Sequence, residues 1–167
     1  MRKIGIRLVL ALVAATAAAQ QSGTQSPAQE SKTFCSSVDV AALVADAKNE
    51  RKENQAIVVK KILQLAPYKA NLEYRASIGR ASIHEKEAEL IYVIAGSGKI
   101  VIGGALVNEI RSNPTNLSGT AIDGGTSQNI SKGDFIIVPE NTAHWISEIN
   151  ENLVLMSLHL PRPLPGP

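Results

Sequence analysis

The chain holds three histidines, His84, His144 and His159, and two of them stand beside turn signals with an acidic residue in reach. In SIHEKEAELIYVIAGSG, residues 82–98, His84 precedes Glu89 and an apolar run that stops at two glycines. On one continuous extended strand His84 and Glu89 would face opposite sides, because side chains alternate and the step between the two is odd. A turn over Glu85, Lys86, Glu87 and Ala88 removes the conflict by making His84 and Glu89 cross-strand neighbours on one face. In GDFIIVPENTAHWISEI, residues 133–149, Gly133 opens a strand, Pro139 closes it within a Pro-Glu-Asn turn, and His144 sits early on the returning strand. Two such hairpins packed in one barrel would bring His84, Glu89 and His144 together.

Two neutral imidazoles and a carboxylate form an N,N,O donor set that suits one divalent ion, Fe, Mn, Ni or Zn, and leaves positions open for water or substrate. The same residues admit a plainer arrangement, in which His84 and His144 are partly buried and hydrogen-bonded to neighbours with Glu89 as acceptor. Glu148 follows His144 by an even step and so shares its inward face. That makes it a candidate catalytic acid or base or a substitute ligand, the alternative being a rim charge paired with a lysine. His159 aligns with Ser157 and Leu155 on one face of the last strand and is expected at an edge near the terminus. Glu85 and Glu87 belong to the turn tip and to solvent. Tyr92 and Trp145 are expected in core packing or a subunit interface, and Lys60, Lys61 and Arg75 form no grouping.

The elements that must position these residues are mostly strands. AIVVKKILQL, ANLEYRASI, LIYVIAG, KIVIGGALV, DFIIVP, HWISEI and NLVLMSLHL are short β-rich runs separated by turn residues with no helical pattern between them. Such a series predicts an all-β sandwich or barrel. NEIRSNPTNLSGTAIDGG reads as a long loop with one short strand near Thr120, covering a mouth of the barrel. Ahead of the strands, Val40, Leu43, Val44 and Ala47 recur at helical spacing, which predicts a short amphipathic helix over 37–53 with Ser37 or Asp39 as cap.

Together the two stretches resemble the cupin superfamily, whose first motif runs H-x-H, three or four residues, E, then six residues to G. Its second runs G, five residues, P-x-G, two residues, H, three residues, N. His84 matches the second histidine, Glu89 the carboxylate and Gly96 the glycine of the first; Gly133, Pro139 and His144 match the second. The chain departs at Ser82, where the first histidine would be, at Asn141 in place of glycine, and at Glu148 in place of asparagine. Asparagine is a mild change, since it tolerates left-handed backbone. Ser82 leaves three ligands where many cupins have four, and the serine itself is left to hold a metal-bound water, to orient His84 or to serve as a plain strand residue.

The resemblance implies an all-β, single-domain cupin-type β-barrel, a double-stranded β-helix or jelly roll, across 54–162. It further implies one divalent metal at His84, Glu89 and His144, with dioxygenase or isomerase-type chemistry on a small oxygen-rich substrate. Loss of the first histidine favours the other expectation, a non-catalytic cupin that binds a small ligand or carbohydrate. Cupin barrels commonly pair, and the helix near Val40 could cross to a partner, so a homodimer is compatible with this reading.

Composition narrows the remaining classes. Residues 1–19 carry Arg2, Lys3 and Arg7, a short apolar segment from Leu8 and an A-x-A-like exit, the pattern of a secretory signal. The apolar segment falls short of the roughly 20 residues that span a bilayer. The expected mature chain is therefore secreted or periplasmic, with no stable membrane insertion after cleavage. Without those three basic residues the formal charge of +2 becomes −1, so no nucleic-acid partner is implied. Residues 20–36 read as a disordered polar linker and 163–167 as a tail. Cys35 is the single cysteine, which excludes an internal disulfide framework. There is no phosphate-cradling glycine loop and no G-x-S-x-G elbow.

Overall fold

The computed structural model describes residues 31–162; the expected signal segment, most of the linker and the tail lie outside them. The chain begins with helix α1, Ser37–Glu50, capped by Ser36. The Asp39 amide donates to Ser36 Oγ at 3.1 Å and the Ser36 amide donates to Asp39 Oδ2 at 2.9 Å, so two otherwise unpaired donors are satisfied reciprocally. The helix is three residues shorter than its apolar periodicity predicts, because Arg51 turns extended and its Nε donates to the Gln55 carbonyl at 2.9 Å. Within the expected linker, Lys32 pairs its backbone with Gln64 in both directions.

Thirteen strands follow. They are β1 Ile57–Leu65, β2 Tyr68–Arg75, β3 Ala81–His84, β4 Glu87–Ala95, β5 Ser97–Ile102, β6 Ala105–Val107, β7 Ile110–Asn113, β8 Asn116–Gly119, β9 Ala121–Asp123, β10 Thr126–Ser131, β11 Phe135–Val138, β12 His144–Ile149 and β13 Leu153–Pro161. One sheet has the order β1-β2-β13-β4-β11, a second β10-β5-β12-β3-β8-β7, and β6 pairs with β9 apart from both. The all-β fold expected from the strand series is present, and the jelly roll implied by the cupin resemblance takes the form of two facing sheets rather than one closed barrel. The stretch read as a loop is instead built from the short strands β7, β8 and β9. Its polar residues satisfy their backbone by pairing, which side-chain character alone does not reveal.

Alternation along the central strands divides the apolar residues between two layers. Ile91 and Val93 of β4 and Leu155 of β13 face inward and pack with Ile100, Ile136 and Ile146 between the sheets. Val154, Met156 and Leu158 face the other way, toward Val40, Leu43 and Val44 of α1. The turn between β4 and β5 is tight: Gly96 has φ +82°, and a Cβ on Gly98 would lie 2.2 Å from the Glu148 carbonyl oxygen.

The two motif turns are not the expected hairpins. β3 pairs with β8 and β12 in the six-stranded sheet, whereas β4 pairs with β11 and β13 in the five-stranded one. The chain changes sheet between His84 and Glu87, and it changes sheet again between β11 and β12. His84 and Glu89 therefore face each other across the interior rather than along a ladder. Each motif is a corner of the sandwich.

Candidate metal centre

Register explains which side chains meet. On the six-stranded sheet His144 lies opposite Ser82, and directly opposed residues share a face. His84 is two residues beyond Ser82 and so points the same way. On the five-stranded sheet His159 lies opposite Glu89, and Ser157 opposite Ile91, all on the inner face. His84, His144, Glu89 and His159 converge at the polar end of the apolar core.

Glu89 is the centre of this arrangement and is 5% exposed. Its Oε1 accepts a hydrogen bond from the Ser157 hydroxyl. Its Oε2 is buried and accepts none, although His144 Nε2 lies 3.0 Å away and His84 Nε2 3.4 Å away. Burial pushes the Glu89 carboxyl up, but the His144 and His84 rings and the Ser157 hydroxyl outweigh it and hold the group well below the usual carboxylate range. Burial likewise pushes His84 down, and Glu89 and Asn116 overcome it, so the imidazole is raised above its ordinary value. His159 is lowered, chiefly by burial, with Glu89 opposing that effect and the neighbouring His84 adding to it.

The outer nitrogens are engaged by acceptors. His84 Nδ1 lies 3.1 Å from Asn116 Oδ1, and His144 Nδ1 lies 3.3 Å from the Thr142 carbonyl. A carbonyl oxygen can only accept, so each contact holds a proton on Nδ1 and makes Nε2, the nitrogen facing Glu89, the one whose lone pair a metal ion would take in place of a proton. Asn116, rather than Ser82, orients His84. The second turn is fastened to the same place: Asn141, at φ +55°, donates its amide to the His84 carbonyl at 2.7 Å.

The donor spacings suit a cation. Two donors each about 2.1 Å from a common ion stand roughly 3.0 Å apart at a right angle and roughly 3.4 Å apart at the tetrahedral angle. The Nε2–Oε2 separations of 3.0 and 3.4 Å match those two values. A buried carboxylate oxygen without a hydrogen bond, with two imidazole nitrogens within 3.4 Å of it, forms a site that a divalent ion would satisfy.

Other candidates fall elsewhere. Glu148 does not share the inward face. A bulge between Ile146 and Glu148 sets Glu148 opposite Lys99, its side chain is 51% exposed, and Lys99 Nζ donates to it at 2.8 Å. An even step holds for a regular strand, and the extra residue reverses it. Glu85 pairs with Arg111 at the turn, whereas Glu87, expected in solvent, lies on β4 with Oε2 2.9 Å from His159 Nδ1. Trp145 donates its indole N–H to the Gly79 carbonyl at 2.9 Å, and Tyr92 stacks on Phe135.

His159 departs furthest from its expected position. β13 lies between β2 and β4 in the middle of its sheet, not at an edge, and His159 is 9% exposed. Its ring centroid is 4.7 Å from that of His84. Ligand atoms of His84, Glu89 and His159 all lie within 4.8 Å of one another, and His144 joins them through Glu89 at 3.0 Å. The available signal was the even spacing of Leu155, Ser157 and His159, but strand order is not readable from spacing. The three histidines and Glu89 line a cavity of about 670 Å³ that also meets Ser82, Arg75 and Arg80.

Residues 53–161 match the family described as Cupin. No curated protein matches the chain. Among solved structures, BH2720 from Bacillus halodurans is similar at 14% identity and a TM-score of 0.51, over 80% of this chain and 85% of that one. KdgF from Halomonas sp. is similar at 16% identity and a TM-score of 0.49, over 68% and 87%. The oxalate decarboxylase of Lactobacillus farciminis is similar at 17% identity and a TM-score of 0.46, over 66% of this chain and 30% of its own.

Proposed function

The chain belongs to the cupin family, and we propose that within it this protein holds one divalent metal at His84, Glu89 and His144 and presents it to a small oxygen-rich molecule. The observation that carries this reading is the Glu89 Oε2 atom, buried without a hydrogen bond and faced by two imidazole nitrogens at metal-ligand spacing. Fe, Mn, Ni and Zn all accept such a donor set. A bound ion supplies Lewis acidity toward paired oxygens. The chain's own part is to orient the rings through Asn116 and the Thr142 carbonyl and to wall the site with apolar strands. At the cavity, Arg80 Nε donates to Ser118 Oγ at 3.0 Å, leaving its other nitrogens to meet oxygens of an entering molecule.

Elemental analysis of purified protein after reconstitution tests the metal. About one ion per chain, lost in His84→Ala and His144→Ala, is expected; persistent absence of metal overturns the reading. Whether dioxygenase or isomerase-type turnover follows is a separate matter, and one observation favours binding without turnover. Glu148 faces solvent beside Lys99, and the cavity carboxylate Glu73 is tied to Arg75, so neither is free to move a proton there. A thermal-shift screen of metals with small carbohydrates and phenolics, followed by product analysis of each hit, separates the two: a ligand recovered unchanged supports the binding module.

Export and pairing belong to the same proposal. Export rests on residues 1–19, and an N-terminus of the mature protein at residue 20 would support it. Pairing is supported by β11, an edge strand on which Phe135 and Ile137 are 70% and 61% exposed. A monomer mass in solution at micromolar concentration would overturn it.

A further inference from the structure

We infer that His159 supplies the nitrogen donor that this chain lacks at Ser82, and that Glu87 positions it, so that the centre is built from three histidines and Glu89. The inference rests on the metal reading above, and deepens it. The missing donor is not made good on the same strand. It is supplied from the facing sheet.

Three observations converge. All the histidines in the sequence line one cavity, although they come from β3, β12 and β13 and are far apart along the chain. His159 is the register partner of Glu89, so its ring stands beside the carboxylate on the same face and across the interior from His84, with ligand atoms of the three within 4.8 Å of one another. Finally, each of the three rings has its Nδ1 against a fixed acceptor: Asn116 Oδ1, the Thr142 carbonyl and, for His159, Glu87 Oε2 at 2.9 Å. That repeated engagement of Nδ1 leaves Nε2 as the nitrogen on each ring that a metal would take. A carboxylate holding the far nitrogen of a metal-bound histidine fixes its tautomer and raises its basicity.

Ser82, opposite His144 in register, is too short to donate in the way an imidazole would, and it lines the same cavity as His159. Glu87 also has a neighbour role that the turn-tip expectation hid: it opposes Pro161, two residues beyond His159, which puts its carboxylate alongside the ring.

The test uses the intact wild-type protein labelled with 15N at histidine and titrated with Zn(II). The expected result is a coordination shift of the Nε2 resonance on all three rings at one equivalent, with Nδ1 remaining protonated. Shifts on His84 and His144 with an unmoved His159 overturn this inference and leave the metal reading intact. No uptake of Zn(II) by the wild type overturns both. Metal competition gives a second measure: His159→Gln is expected to weaken Zn(II) binding at least tenfold, and Glu87→Ala by about 10–100-fold. Unchanged affinity in both variants counts against the inference.

Discussion

Ser157 and Glu89 form a buried pair on neighbouring strands, the serine hydroxyl donating to Oε1 while Oε2 is left for the site. Ser157 is 1% exposed. Ser157→Ala removes a hydrogen bond to a charged group and is expected to destabilise the metal-free protein by about 2 kcal/mol. Urea unfolding of both proteins without metal measures it, and a difference near zero would show that the carboxylate needs no such partner.

Asn141 offers a contrast in backbone terms. Its φ of +55° lies in the left-handed region, and its amide ties the second turn to His84. Asn141→Ala is expected to cost about 1 kcal/mol because a Cβ without a local polar group disfavours that conformation. Asn141→Gly, which restores the residue of the cupin pattern, is expected to keep both stability and metal affinity. Thermal unfolding of the two variants side by side distinguishes a conformational requirement from a need for the amide side chain.

The helix cap makes a separate prediction away from the site. Ser36→Ala is expected to destabilise the docked helix by about 1 kcal/mol. Hydrogen bonds from the Ser36 backbone and hydroxyl hold the Asp39 carboxyl below its ordinary value. A lowered folded-state value means that Asp39's contribution is present above the unfolded value of about 3.8 and is lost as pH falls through the folded one. Acid unfolding of Asp39→Asn should therefore lack that portion of the transition, and identical acid limbs would exclude the linkage.

Glu148→Gln should do very little. The side chain is half exposed and its partner Lys99 is exposed as well, so the pair is screened by solvent. Stability is expected to stay within about 0.5 kcal/mol and metal content to remain unchanged. Loss of metal in this variant would reinstate Glu148 as a ligand and require the bulge on β12 to be absent in solution.

Much of this protein is legible in its amino-acid order. The alternation of apolar and polar residues in the strand runs determined an all-β chain, because a period of two allows only one face of each strand to enter a core. The placement of His84, Glu89 and His144 against turn residues determined that nitrogen and oxygen donors lie beside bends of the chain, which sequence alone reads as hairpins. Those signals are local, carried by neighbours within a few residues. The tertiary structure decided what is not local: that each corner joins two sheets, that β13 runs through the centre of one of them beside β4, and that a bulge turns Glu148 outward. His159 became a member of the site for the same reason. Strand order and register are set by the packing of the whole core, and residues 70 positions apart in the chain, Glu89 and His159, become neighbours only when that packing is complete.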